Sequence, residues 1–210
     1  MAAQRIQDKR NETTQRILTT AASVFAEVGF AGARMDEIAK RADVNKATIY
    51  YHIGDKEALY AQVLHNVFAH AADRFTENIK AEQSPEQKFK MYIRSVADLM
   101  DRNPELAAII LREQAGGGQN FPEMVVQDLT RIIAILTDIL EEGTHKGVFI
   151  STVPLLVHFM IIGTIILVKM SAPIRSQFAP LAFPLTNDDG KNGGGAASEI
   201  EKLVLNAVSK

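Results

Sequence analysis

Residues 34–59, RMDEIAKRADVNKATIYYHIGDKEAL, constrain this chain more tightly than any other stretch, because they spell two short helices joined by a tight turn. Met35, Ile38, Ala39 and Ala42 recur at helical spacing and give the first helix one apolar face, while Asp36, Glu37, Lys40 and Arg41 keep its other face wet. Asp43 and Val44 make the turn. Asn45 is a favoured N-cap, whose side-chain oxygen can take up a free N–H at the start of a second helix over 46–52. Small Ala39, Ala42 and Ala47 let the two helices approach closely. The second helix then carries Lys46, Thr48, Tyr50, Tyr51 and His52, residue types that contact phosphates and base edges. This is the layout of a helix-turn-helix that reads DNA.

Residues 17–59, with AASVFAEVGF, MDEIAKRADV and KATIYYHIGDKEAL, resemble the N-terminal domain of the TetR/AcrR family of bacterial transcriptional repressors. The remainder resembles that family only in being helical and of the right length. The resemblance implies a homodimer whose N-terminal helices sit in successive major grooves of a palindromic double-stranded operator. It also implies a variable C-terminal domain that binds a small molecule and releases the DNA. Carried over residue by residue, it puts Arg34, Asn45, Lys46, Thr48, Tyr50, Tyr51, His52 and Lys56 at the DNA, with Lys56, Tyr50 and Tyr51 on the backbone and Lys46 and Thr48 setting base preference. The chain departs from the family pattern in four places. Asp43 stands for the usual turn Gly, and Asp tolerates a left-handed backbone. Asn45 stands for Ser with the same capping chemistry. Ile53 replaces Phe as a smaller plug. Ala33 and Arg34 replace a Thr pair, which removes a hydroxyl cap and offers Arg34 as a phosphate contact.

Composition narrows the alternatives. The 210 residues suit one or two compact domains. With no cysteine, disulfides, thiol catalysis and Cys-ligated zinc drop out, which fits a reducing cytoplasm. MAAQRIQDKRNETT has charge but no apolar stretch behind it, so it reads as a flexible basic arm and not a signal peptide. The net charge of -2 divides into eight Lys/Arg against six Asp/Glu in residues 1–52 and fifteen against nineteen in 53–210. The sign favours the N-terminal end as the one that meets a polyanion.

Periodicity makes nearly everything else helix, and the expected fold is all-α: a three-helix DNA-binding domain over 1–54 and a larger helical effector-binding and dimerisation domain over 55–210. A first helix opens at Thr13 or Thr14, carries the stripe Ile17, Leu18, Ala21, Val24, Phe25 and Val28, and ends at Gly29. Asp55 caps a long connector over 56–81. Further helices are expected over 85–102, 104–114, 122–142 and 152–171, each with a Pro near its start. Residues 172–195 read as a flexible connection, and 197–209 as a last helix. Glycines 116–118 lack the strand and the Lys-Ser/Thr of a phosphate-binding loop.

Residues 153–168, VPLLVHFMIIGTIILV, are the most apolar of the chain, yet fall short of the ~20 residues a membrane span needs. A helix apolar all round suits packing inside the subunit on one side and against a second copy on the other. Ile162, Ile166 and Leu203 are the expected interface residues. Glu142-x-x-His145 has half the spacing of a di-iron site, but no second Glu-x-x-His exists, so no metal and no cofactor are expected. Methionines and aromatics over 85–171 suit an adaptable apolar cavity. Tyr92, Phe121, Met124, Arg131, His158 and Thr164 are the candidate effector contacts. Two other readings stand beside this one. An all-helical enzyme or cofactor carrier would need a convergent polar site in residues 85–170, which does not assemble. A regulator controlled by a protein partner would leave the same DNA-reading residues in place.

Overall fold

The computed structural model describes residues 2–177 and 194–210, with side chains from residue 7 and from residue 197 in the two stretches. Among the described residues ten helices follow in chain order: α1 (Ala2–Gly32), α2 (Met35–Arg41), α3 (Lys46–His52), α4 (Lys56–Lys80), α5 (Pro85–Arg102), α6 (Pro104–Ala115), α7 (Glu123–His145), α8 (Pro154–Met170), α9 (Ala172–Gln177) and α10 (Gly194–Val208). Among the described residues the single β pairing is an isolated antiparallel bridge, Phe149 with Ser209. The fold is all-α.

Packing divides the chain into two compact units, residues 1–69 with 108–128, and residues 70–107 with 129–210. The division differs from the expected boundary at residue 54, because the first half of α4 and most of α6 join α1, α2 and α3 in one unit. Its core holds Ile17, Leu18, Phe25, Ile38, Ile49, Leu59 and Leu64. Phe25 meets the Tyr60 ring edge-on at 4.7 Å. In the second unit α10 packs on α5 and α8. Its interior includes Phe75, Phe89, Ile93, Ile161, Ile165 and Val204, each worth roughly 1.5–3 kcal/mol on burial.

Three expectations are corrected. The N-terminal arm is helix from Ala2, not flexible chain, and Thr13 and Thr14 do not cap it. Their hydroxyls donate to the carbonyls of Lys9 and Arg10, one turn back inside the helix. Gly29 does break the helical backbone, at φ 72°, although helix resumes to Gly32. Residues 172–177 form α9, held by Arg175, which donates to the Val168 carbonyl at 2.6 Å and to the Ser171 hydroxyl. Residues 178–193 of the expected flexible connection lie outside the described residues. Helix α7 does not end at Glu142 but passes through Gly143 to His145. The buried Phe149 ring lies so close that a Cβ at Gly143 would stand 2.0 Å from it. Glycines 117 and 118 terminate α6 with φ of 77° and 71°, and Gly118 N–H donates to the Glu113 carbonyl at 2.7 Å.

Candidate nucleic-acid interface

Helices α2 and α3 are short, so caps and packing must hold them. The turn between them needs a left-handed residue, and Asp43 supplies it at φ 51°. Asn45 then caps α3: its Oδ1 accepts from Thr48 N–H at 2.7 Å and from the Thr48 hydroxyl at 2.8 Å. Ile49 buries the inner face of α3 completely. Helix α2 starts at Arg34 with no side-chain cap, as loss of the Thr pair implies, and Asp36 and Glu37 in its first turn complement the helix dipole instead. Arg41 ties α2 to α1, reaching Glu37 and Glu27 at 2.7 Å, and Arg16 Nε donates to the Ala42 carbonyl at 2.9 Å.

What this scaffold presents is the outer face of α3. Tyr50 is half exposed and Tyr51 is 73% exposed. Such exposure removes two large rings from the core and leaves them for a partner. Lys46 is exposed and meets the Asp36 carboxylate at 3.1 Å, a surface pair that is easily broken. His52 lies edge-on to Tyr51 at 5.4 Å, and its Nδ1 is 3.2 Å from the Thr14 hydroxyl. Arg34, at the start of α2, is exposed.

Lys56 has partners within the protein that its sequence position does not announce. Its ammonium donates to the carbonyls of Phe30 at 3.0 Å and Ala33 at 3.4 Å and sits 4.4 Å from the Phe30 ring centroid. It holds the end of α1 against the start of α4, which leaves one of its three donors for a phosphate.

Two residues outside the expected set brace the module. The Arg112 guanidinium spans carbonyls near the end of α1, donating to Ala26 at 3.0 Å and Glu27 at 2.7 Å. The buried Glu113 carboxylate accepts from the Tyr60 hydroxyl at 2.9 Å and from Asn120 Nδ2 at 3.3 Å. Burial and that carboxylate push the Tyr60 hydroxyl far above its usual range, so it stays a donor. The one sequence signal for both is a charged pair that follows the apolar run 106–111. Tyr60 and the α1 carbonyls that answer it lie more than fifty residues upstream.

Residues 17–63 match the family model described as bacterial regulatory proteins, tetR family, and residues 65–171 match that described as YsiA-like protein, C-terminal region. The chain belongs to the tetR family of bacterial regulatory proteins. It is 29% identical over 144 residues to the HTH-type transcriptional repressor NicS of Pseudomonas putida, covering 66% of each chain. It spans about half to two-thirds of the length of the curated relatives it matches. Among solved structures, a linker-substituted variant of HlyIIR aligns with a TM-score of 0.70 at 25% identity, over 96% of this chain and 97% of that one. FadR of Bacillus subtilis in complex with stearoyl-CoA aligns with a TM-score of 0.68 at 23% identity, over 91% and 97%, a likeness of fold.

A tetR-family chain directs attention to the remaining candidates, which the structure does not gather into one place. Tyr92 and His158 meet inside the core of the second unit, the hydroxyl 2.8 Å from Nδ1. Burial depresses the His158 pKa to about 4 and raises that of Tyr92, so the pair is a phenol donating to a neutral imidazole. Arg131 is on the surface, 2.7 Å from Asp73. Thr164 is exposed on α8 and donates to the Met160 carbonyl of its own helix. Phe121 and the exposed Met124 fall in the first unit. A cleft of about 420 Å³ near the C-terminus of α7 is lined by Glu141, Thr144, His145, Ser151 and Thr152, and by none of the six. Glu142 of the half metal motif is engaged by Lys88 and Lys146, each at 2.6 Å, which hold its carboxyl below the usual range.

Helix α8 exposes Leu155, Leu156, Phe159, Met160, Leu167 and Met170, and Leu203 on α10 is 65% exposed. Ile166 is not among them. It is 2% exposed and belongs to the subunit's own core, whereas Ile162 is half-buried. Among the described residues no helix is long and apolar enough to cross a membrane.

Proposed function

We propose that the chain is a DNA-binding transcriptional repressor that acts as a homodimer in the bacterial cytoplasm and leaves its operator when a largely hydrophobic small molecule binds the second unit. The observation that carries this is the outer face of α3. It is rigidly capped by Asn45, anchored by Ile49, and keeps Lys46, Tyr50 and Tyr51 out of the core. Arg34, Asn45, Lys46, Thr48, Tyr50, Tyr51 and His52 are the proposed contact set, with Lys56 acting chiefly by fixing α1 to α4. Kinship with NicS, a transcriptional repressor, supports the reading.

Two-fold pairing is proposed through the exposed side of α8 together with Leu203. Leu156, Phe159, Gly163 and Leu167 lie at the three- and four-residue intervals that make one continuous stripe. A two-fold dimer carries two reading helices, and a palindromic operator offers two half-sites about one helical turn apart to receive them. The effector class is proposed from the apolar interior of the second unit and from the acyl ligand held by the FadR of the same fold.

The test is direct. DNA captured by the purified protein from fragmented genomic DNA should contain an inverted repeat, and footprinting should protect it. Long-chain acyl compounds should weaken that binding, and operator should weaken theirs by the same factor. Random recovery of fragments would sink the DNA reading. Unaltered binding across apolar ligands would sink the effector class alone.

A further inference from the structure

The reading face of α3 is short of charge. Its one lysine, Lys46, is paired with Asp36, Lys56 is turned onto α1, and Arg41 is held by two glutamates. Yet affinity for duplex DNA is dominated by cations that displace counterions from phosphates. The N-terminal part of α1, helical from Ala2, lies beside the same surface and carries the missing charge. The Arg10 guanidinium stands 5.2 Å from the centroid of the exposed Tyr51 ring, and Thr14 one turn on touches His52. Lys9 and Arg10 are exposed and, among the described residues, have no ion-pair partner. The helix also separates Arg10 from its carboxylates. At 3.6 residues per turn, Asp8 and Glu12 point about 160° away from Arg10, so the carboxylates face away from α3 while Arg10 lies against it.

We propose that the N-terminal extension of α1 is a second DNA-contacting element, in which Arg10, steadied on Tyr51, and Lys9 grip backbone phosphates bordering the groove that α3 enters. It rests on the reading of α3 as the DNA-reading helix. A guanidinium held over a ring makes no ion pair there, so the Arg10 N–H donors remain for a phosphate beside Tyr51, which they can bind at two oxygens. Contacts of this kind add affinity without adding base preference.

The experiment follows full-length protein on a labelled duplex of arbitrary sequence by fluorescence anisotropy over a series of salt concentrations. Removing one phosphate-binding cation should flatten the slope of log affinity against log salt by about 0.9, so Arg10→Ala should flatten it by roughly 1.8 in a homodimer. Lys9→Ala should flatten it as well. Arg10→Lys, which keeps the charge, should keep most of the slope. Binding by Arg10→Ala with wild-type affinity and slope would overturn the proposal while leaving the DNA reading intact. Weaker binding at an unchanged slope would also overturn it, since Arg10 would then only steady Tyr51. A wild-type protein with no salt-dependent binding would overturn the DNA reading itself.

Discussion

Lys56 offers the sharpest test of where the chain departs from its own sequence pattern. Replacing it with Met keeps most of the stem and removes the ammonium from the Phe30 and Ala33 carbonyls and from the Phe30 ring. The 3.0 Å bond is a charged donor on a neutral acceptor, the 3.4 Å one is weak, and the site is half-buried. A net loss of about 2 kcal/mol follows, most of it from the first bond and the remainder from the cation–π contact. For a chain of this length that amounts to a fall in Tm of roughly 4–8 °C. Thermal unfolding followed by circular dichroism would measure it, with wild type and variant at one protein concentration, because a dimer's Tm depends on concentration. The salt slope of duplex binding, taken with the same protein, separates the two roles. A variant as stable as wild type whose slope falls by about one unit per phosphate would refute the bracing role, and would make Lys56 a phosphate contact first.

The remaining predictions concern the second unit. Gly143→Ala drives a Cβ into the Phe149 ring, and should be among the most destabilising single changes to the chain in a denaturant titration, although alanine favours helix. Leu156→Glu should give a folded monomer by light scattering, whereas Ile166→Glu should fail to fold, since its carboxylate would be buried without a partner. A monomeric, folded Ile166→Glu would overturn the assignment of the two faces. His158 binds its proton only near pH 4 when folded but near 6.5 when unfolded. Below about 6.5 the unfolded chain therefore takes up a proton the native state refuses. Stability should be fully present above that pH and fall by about 3 kcal/mol as pH drops toward 4, and His158→Gln should flatten this arm of the profile.

Much of this was legible along the chain because it is local. Asn45 caps the helix that begins at the next residue, Asp43 meets a backbone demand of its own position, and Pro85 and Pro104 stand at the first positions of their helices. Distances of one to four residues leave a capping side chain few partners, so residue type and spacing suffice. What tertiary structure alone decided involves choices the local pattern leaves equal. Helix α8 is apolar on every side, so its sequence holds no phase from which to tell an inner face from an outer one. Only packing on α5 and α10 buries Ile161, Ile165 and Ile166 and leaves Leu156 and Leu167 exposed. Lys56 has a stem long enough to reach either a phosphate or the end of α1, and in the fold it reaches the Phe30 carbonyl twenty-six residues upstream. Likewise a buried imidazole and a buried phenol satisfy each other only once α5 and α8 meet, which turns His158 and Tyr92 from two isolated polar residues into one neutral pair.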